Sequence, residues 1–201
     1  MDYNILIGIS GKLGTGKDSI AFILKRIDPT FQIRAYAYKL KQIVSLLTSC
    51  PMEQTMTQEG KNIYIEEFGL TIGQMQQQIG TNVMRTHFDE GVWIKALMME
   101  LKRNPGNYIV TDCRFKNEAD AIKSAGGFVI RIERPDNPVA RNSTRDLNHA
   151  SETEMDTYER FDQVILNDCT LADLERKVRI AYNEIVTSHM ITKSTEVTLE
   201  K

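Results

Sequence analysis

The first residues along the chain able to do chemistry together are Gly11-Lys12-Leu13-Gly14-Thr15-Gly16-Lys17, which satisfy the spacing G-x-x-x-x-G-K. They fall between the β-branched run Ile5 to Ile9 and a segment with Ile20, Ile23, Leu24 and Ile27 at helical spacing, which predicts a strand, a glycine-rich turn and a helix. Glycines allow the backbone to curl with its amides inward, and the helix that follows adds the positive end of its dipole. Such a loop binds a polyphosphate. Gly11, Lys12, Gly14, Thr15 and Gly16 would wrap that polyphosphate, and Lys17 would bridge its β- and γ-phosphates. The place after the lysine holds Asp18, and the hydroxyl comes one position later at Ser19. Ser19 is then the expected magnesium contact. Asp18 reads either as a carboxylate near the metal or acceptor, or as an acid favouring the helix dipole.

A second cluster follows the predicted strand Tyr108 to Thr111, where Asp112, Arg114 and Glu118 come in quick succession. In a doubly wound sheet, ligands collect at the carboxyl ends of strands, so this cluster should emerge beside the phosphate loop. Asp112 takes the place of a carboxylate that holds Mg²⁺ through its water shell. Arg114 offers a bidentate fork suited to a phosphate. Glu118 is placed to orient that fork or a substrate hydroxyl. The other reading of the trio is a surface ion network at a helix start. Arg141 and Arg145 lie in a Pro-, Asn- and Asp-rich stretch, about 135–150, that reads as a short lid able to bring cations onto a transferring phosphoryl group.

The elements that must position these groups alternate between strand and helix. Phe31 to Tyr36, Tyr108 to Thr111, Phe128 to Ile132 and Gln163 to Leu166 read as further strands. Helical faces recur at Leu40, Ile43, Val44 and Leu47, at Ile72, Met75, Ile79 and Val83, at Trp93, Ala96, Leu97 and Leu101, and at Leu171, Leu174, Val178, Ala181 and Ile185. Alternation of this kind predicts an α/β fold with a mostly parallel sheet. One domain over 1–190 is expected, with a flexible tail over 191–201.

The 201 residues, with 41% hydrophobic and 26% charged content, suffice for one sizeable core. The net charge of −2, with Lys and Arg spread along the chain, does not indicate a nucleic-acid or membrane surface. Apolar runs are strand-sized, so a cytosolic protein acting on a small molecule is expected. Three cysteines without Cys-x-x-Cys spacing suggest neither a disulfide framework nor a zinc site.

Gly16-Lys17-Asp18-Ser19, Gln78-Ile79-Gly80-Thr81, Asp112-x-Arg114-Phe115-x-Asn117-Glu118, Glu133-Arg134-Pro135, His149-x-Ser151-Glu152 and Phe161-Asp162-x-Val164-Ile165, in this order, resemble the bacteriophage deoxynucleoside monophosphate kinase family over roughly residues 4 to 180. The resemblance implies a P-loop kinase three-layer sandwich with a five-stranded parallel sheet, ATP as phosphoryl donor, Mg²⁺ as cofactor and a deoxynucleoside 5′-monophosphate as acceptor. It implies that Asp18, Arg114 and Glu118 meet the acceptor, and that a helical region of about 37–103 forms the monophosphate side. There Arg85 is the candidate phosphate contact and Trp93 a base or packing contact. Host cytoplasm during phage infection is implied by the resemblance alone. The residues themselves leave open another small-molecule kinase of this fold, acting on dephospho-coenzyme A, a nucleoside or a metabolite alcohol, and a nucleotide-dependent switch. Dimerisation is also left open.

Overall fold

Every residue of β1 (Leu6–Ser10) is buried, as a strand flanked on both sides in a parallel sheet must be. The computed structural model, which describes residues 4–138 and 150–199, places β1 at the centre of a five-stranded sheet of order β2-β5-β1-β6-β7. The others are β2 (Gln32–Arg34), β5 (Tyr108–Cys113), β6 (Phe128–Glu133) and β7 (Gln163–Leu166). All pairings are parallel, with Ile7 beside Ile109 in β5 and Phe128 in β6. The chain runs from β1 toward β2 on one side and from β5 across to β6 on the other, which makes the carboxyl ends of β1 and β5 the switch point where this class of sheet binds ligands.

Side chains alternate across β1, and the alternation sets the layers. Ile5, Ile7 and Ile9 enter one core with α1 (Lys17–Ile27) and α9 (Leu171–Leu199), through Ile20, Leu24, Leu174, Val178, Ala181 and Ile185. Gly8 faces the opposite way. A Cβ there would come within 2.4 Å of Ile122 Cδ1 on α7 (Lys116–Ser124), so the glycine permits close packing of α7 on the sheet. Helices therefore cover both faces.

The chain divides into two compact units, one of Met1–Arg34 with Pro105–Lys201 and one of Ala35–Asn104. The second holds α2 (Tyr38–Thr48), α3 (Met52–Met56), α4 (Gln58–Lys61), the hairpin β3 (Tyr64–Ile65) with β4 (Leu70–Thr71), α5 (Ile72–Gln77), a π-helix (Gln78–Phe88) and α6 (Val92–Arg103). Its core includes Leu40, Val44, Ile72, Met75, Trp93 and Leu97. Sequence periodicity puts Ile72, Met75, Ile79 and Val83 on one α-helical face. The π-helix widens the turn, and Val83 is carried out to 52% exposure.

The last helix also departs from expectation. It continues to Leu199 past Thr192, with hydroxyls of Thr192, Ser194 and Thr195 bonded to carbonyls one turn back. Among the described residues, no helix is long and apolar enough to cross a membrane.

Candidate active site

The phosphate loop is held in shape by its carbonyls. Lys17 Nζ donates to Gly11 O and Lys12 O, both at 2.8 Å, and Thr15 Oγ1 donates to Lys12 O at 2.9 Å. Asn137 Nδ2 donates to Leu13 O at 2.6 Å, and Asn167 Nδ2 to Thr15 O at 2.8 Å. Gly14 and Gly16 take φ of 73° and 104°, a region where a side chain would be strained. The loop then enters α1, whose start has no side-chain cap. The amides of that first turn remain available to an anion.

Asp18 lies exposed in the first turn of α1 and Ser19 half-buried beside it. Because β1 and β5 are neighbours, Asp112 and Arg114 come off the adjacent strand end to the same place. The Lys17 ammonium feels all of them. Burial and the nearby Arg114 charge lower its pKa from 10.5 to about 8, against the opposing pull of Glu152, Asp18 and Asp112.

Arg114 is held by a residue that the motif alone left without a role. Its Nη1 donates to Glu152 Oε1, and Glu152 Oε2 accepts the Leu13 amide of the phosphate loop at 2.8 Å. Glu152 belongs to the short helix α8 (Ala150–Thr153). Its burial would raise the carboxyl pKa, but the Arg114 charge, the two hydrogen bonds and Lys17 bring it below the usual carboxylate range.

The sequence suggests Glu118 as orienter of the Arg114 fork, and the structure corrects this. Glu118 sits 4% exposed in the first turn of α7, where Oε2 accepts the backbone amides of Arg114 at 2.8 Å and Phe115 at 3.1 Å. It secures the backbone under Arg114 while the guanidinium extends to Glu152. Two more acids beyond Glu152 fasten the same neighbourhood. Glu154 accepts the Lys116 amide at 2.9 Å, and Asp156 pairs with Lys12 at 2.6 Å and Arg131 at 2.8 Å. The visible signal for this series is an acid at every second position, 152, 154 and 156, directly after the Arg145 stretch.

Gly11, Lys12, Gly14, Thr15, Gly16, Lys17, Asp18, Ser19, Asp112 and Arg114 thus gather in one unit, around one loop. Within that group the Lys12 side chain is turned to Asp156. Arg85 and Trp93 belong to the other unit. Arg85 is half-buried on the π-helix, and Trp93, 7% exposed, donates its indole N–H to Gly80 O at 3.0 Å. Arg141 and Arg145 lie outside the described residues. Cys113 is buried, which pushes its thiol pKa well up, and Cys169 is exposed.

Comparison with known proteins bears on what this loop serves. A family model described as deoxynucleotide monophosphate kinase matches residues 48–178. A putative deoxynucleotide monophosphate kinase of Acanthamoeba polyphaga mimivirus is 31% identical over 192 residues, covering 87% of this chain and 94% of the relative. The deoxynucleotide monophosphate kinase of Enterobacteria phage T4 is 31% identical over 113 residues, which span 54% of this chain and 44% of that protein. Shikimate kinases from Aquifex aeolicus and Bacteroides thetaiotaomicron superpose with TM-scores of 0.53 and 0.50. The first covers 90% of this chain and 97% of its own at 13% identity, the second 89% and 98% at 12%. At such identities the likeness is one of fold, that of the P-loop kinases. With nearly the whole mimivirus relative aligned and the family model matching well over half of this chain, the chain belongs to the deoxynucleotide monophosphate kinase family.

Proposed function

We propose that this chain transfers the γ-phosphoryl group of ATP to the 5′-phosphate oxygen of a deoxynucleoside monophosphate. The observation that carries the reading is the uncapped start of α1, reached through a loop whose carbonyls are tied back, with Lys17 and Arg114 both beside it. That arrangement is a polyphosphate cradle with two cations able to neutralise charge developing on a transferring group. No covalent enzyme intermediate is needed, since phosphoryl transfer asks mainly for positioning and charge neutralisation. In this reading Lys17 bridges the β- and γ-phosphates. Arg114 and Asp18 face the acceptor, Arg85 contacts the acceptor phosphate, and Arg141 or Arg145 closes over the reacting groups. Glu118 contributes by holding the Arg114 backbone.

The donor set suits Mg²⁺. Ser19 and Asp112 offer hard oxygen ligands beside Lys17, and no group of three or more His, Cys, Asp and Glu forms a closed metal cage among the described residues. Mg²⁺ takes one or two protein oxygens and fills its remaining positions with water and phosphate. When bound, the ion would neutralise β- and γ-phosphate charge; Ser19 and Asp112 are the residues that would hold it.

The test is ADP release from ATP and Mg²⁺ with each of dAMP, dCMP, dGMP, dTMP and their ribose counterparts, alongside Lys17→Ala. Stimulation by one or more deoxynucleotides that vanishes in the variant supports the assignment and defines its specificity. If no monophosphate stimulates turnover, the acceptor class is wrong.

A further inference from the structure

Of the acids on α8 and the turn after it, Glu154 and Asp156 each fasten a backbone amide or basic side chains at the edge of the site. Glu152 differs in that its two oxygens go to two separate pieces of the chemistry. Oε2 accepts from the Leu13 amide at 2.8 Å, and Oε1 accepts from Arg114 Nη1, with Ser151 O 3.4 Å from the same nitrogen. The side chain is 4% exposed, so these two donors, together with the Lys17 charge, are what offset the burial of a carboxylate. The partners come from just beyond the end of β5 and from the phosphate loop, 38 and 139 residues away in sequence.

We propose that Glu152 is a positioning residue that locks the Arg114 guanidinium to the phosphate loop, so that Arg114 and Lys17 meet the transferring phosphoryl group as one preset pair. This rests on the phosphoryl-transfer reading above. Glu152 acts as a brace that persists through turnover, not as a stand-in that phosphate displaces. Leu13 is gripped at its carbonyl by Asn137 as well as at its amide, and the uncapped turn of α1 offers amides that require no exchange with a buried carboxylate. Geometry held this tightly lowers a barrier without tightening ground-state binding.

The chemistry of the bridge defines the test. Glutamine is isosteric but has one acceptor oxygen and one NH₂ donor, so it can serve Leu13 or Arg114 and not both. In the full-length protein with ATP, Mg²⁺ and the best deoxynucleotide, E152Q should lower kcat about tenfold or more. The KM for ATP should move by less than about threefold, since the lost interaction matters in the transition state. E152D, which keeps the charge and loses the reach, should behave likewise and covers the case in which E152Q does not fold. Combined with R114K, E152Q should lower kcat by clearly less than the product of the single effects, because both act on the same fork. The Leu13 amide proton should shift upfield in E152Q while the rest of the amide spectrum stays dispersed. Wild-type kcat in a folded variant, a loss confined to KM, or fully multiplicative effects would each overturn the proposal. If the wild type phosphorylates no deoxynucleotide, the functional reading fails separately. The brace is then judged by the Leu13 amide and Arg114 guanidinium resonances alone, where a shift in E152Q supports it and unmoved signals sink it.

Discussion

The Lys17 ammonium lies 2.8 Å from the carbonyl oxygen of Gly11, folded back onto the loop that it follows. It is half-buried and near the Arg114 cation, and its pKa falls from 10.5 to about 8 through that burial and that charge. A charge held at such a disadvantage is kept for function and works against stability. The difference corresponds to at most about 3–4 kcal/mol. Lys17→Met should therefore abolish phosphoryl transfer while raising Tm by a few degrees. Calorimetric unfolding of both proteins checks this, and a fall in Tm would contradict the view that the ammonium is strained.

The same shift has a pH signature. The folded-state pKa of Lys17 lies below the unfolded value, so between about pH 8 and 10.5 the unfolded chain binds more protons, and the contribution of this group to stability rises with pH across that window. Urea titrations of the wild type and Lys17→Met should converge as pH climbs from 8 to 10. Polyphosphate restores the ammonium, so ADP binding at about pH 9 should take up protons. Calorimetry in two buffers of different ionisation enthalpy reads that uptake directly, and a buffer-independent enthalpy would refute it.

Glu118 offers a test of support from behind the site. Its Oε2 accepts two amides at the start of α7 from a position 4% exposed, so Glu118→Ala leaves both donors without that acceptor. A loss of about 2 kcal/mol in stability is expected. Transfer activity should drop as well, because the backbone carrying Arg114 is released. A variant with wild-type Tm and reduced activity would return Glu118 to direct substrate contact.

Trp93, the sole tryptophan, isolates the second unit. Its N–H bond to Gly80 O pins the π-helix, and a Cβ on Gly80 would come 2.5 Å from Leu40 Cδ2, so the two contacts fix one spot. Trp93→Phe should lower stability by about 1–2 kcal/mol while leaving the ring packing largely intact. Native tryptophan emission should be blue-shifted by burial. Red-shifted native emission would mean that the indole is open to solvent.

The phosphate loop and the central sheet were legible because both are local or repetitive in sequence. The run Ile5 to Ile9 and the G-x-x-x-x-G-K spacing each sit within a few residues, and Asp112 and Arg114 follow from the strand that carries them. Glu152 was visible only as part of a motif, since what gives it meaning is Leu13, 139 residues earlier. The hairpin of β3 and β4 escaped notice because two residues per strand carry no periodicity. The π-helix was hidden for another reason: the apolar spacing that begins in α5 at Ile72 and runs through Ile79 to Val83 fits a continuous α-helix, and the exposure of Val83 reflects the wider turn. The polarity of the final stretch suggests a flexible tail over 191–201, whereas the last helix runs on to Leu199.

Gly16 and Asn167 decide how the loop tolerates change. A Cβ on Gly16 would sit 2.8 Å from Asn167 Nδ2, the atom that donates to Thr15 O, and Gly16 itself has φ of 104°. Gly16→Ala therefore meets two obstacles, a side-chain clash that a flexible amide could yield to and a backbone strain of about 1–2 kcal/mol that nothing nearby can relieve. Backbone strain should win. Nucleotide affinity is expected to fall about tenfold or more in Gly16→Ala, and several-fold in Asn167→Ala through loss of the Thr15 contact. The double variant should be no better than Gly16→Ala alone. Fluorescent-nucleotide titration of the three proteins settles the order: recovery in the double variant would mean that the clash, and not the left-handed backbone, is what reserves this position for glycine.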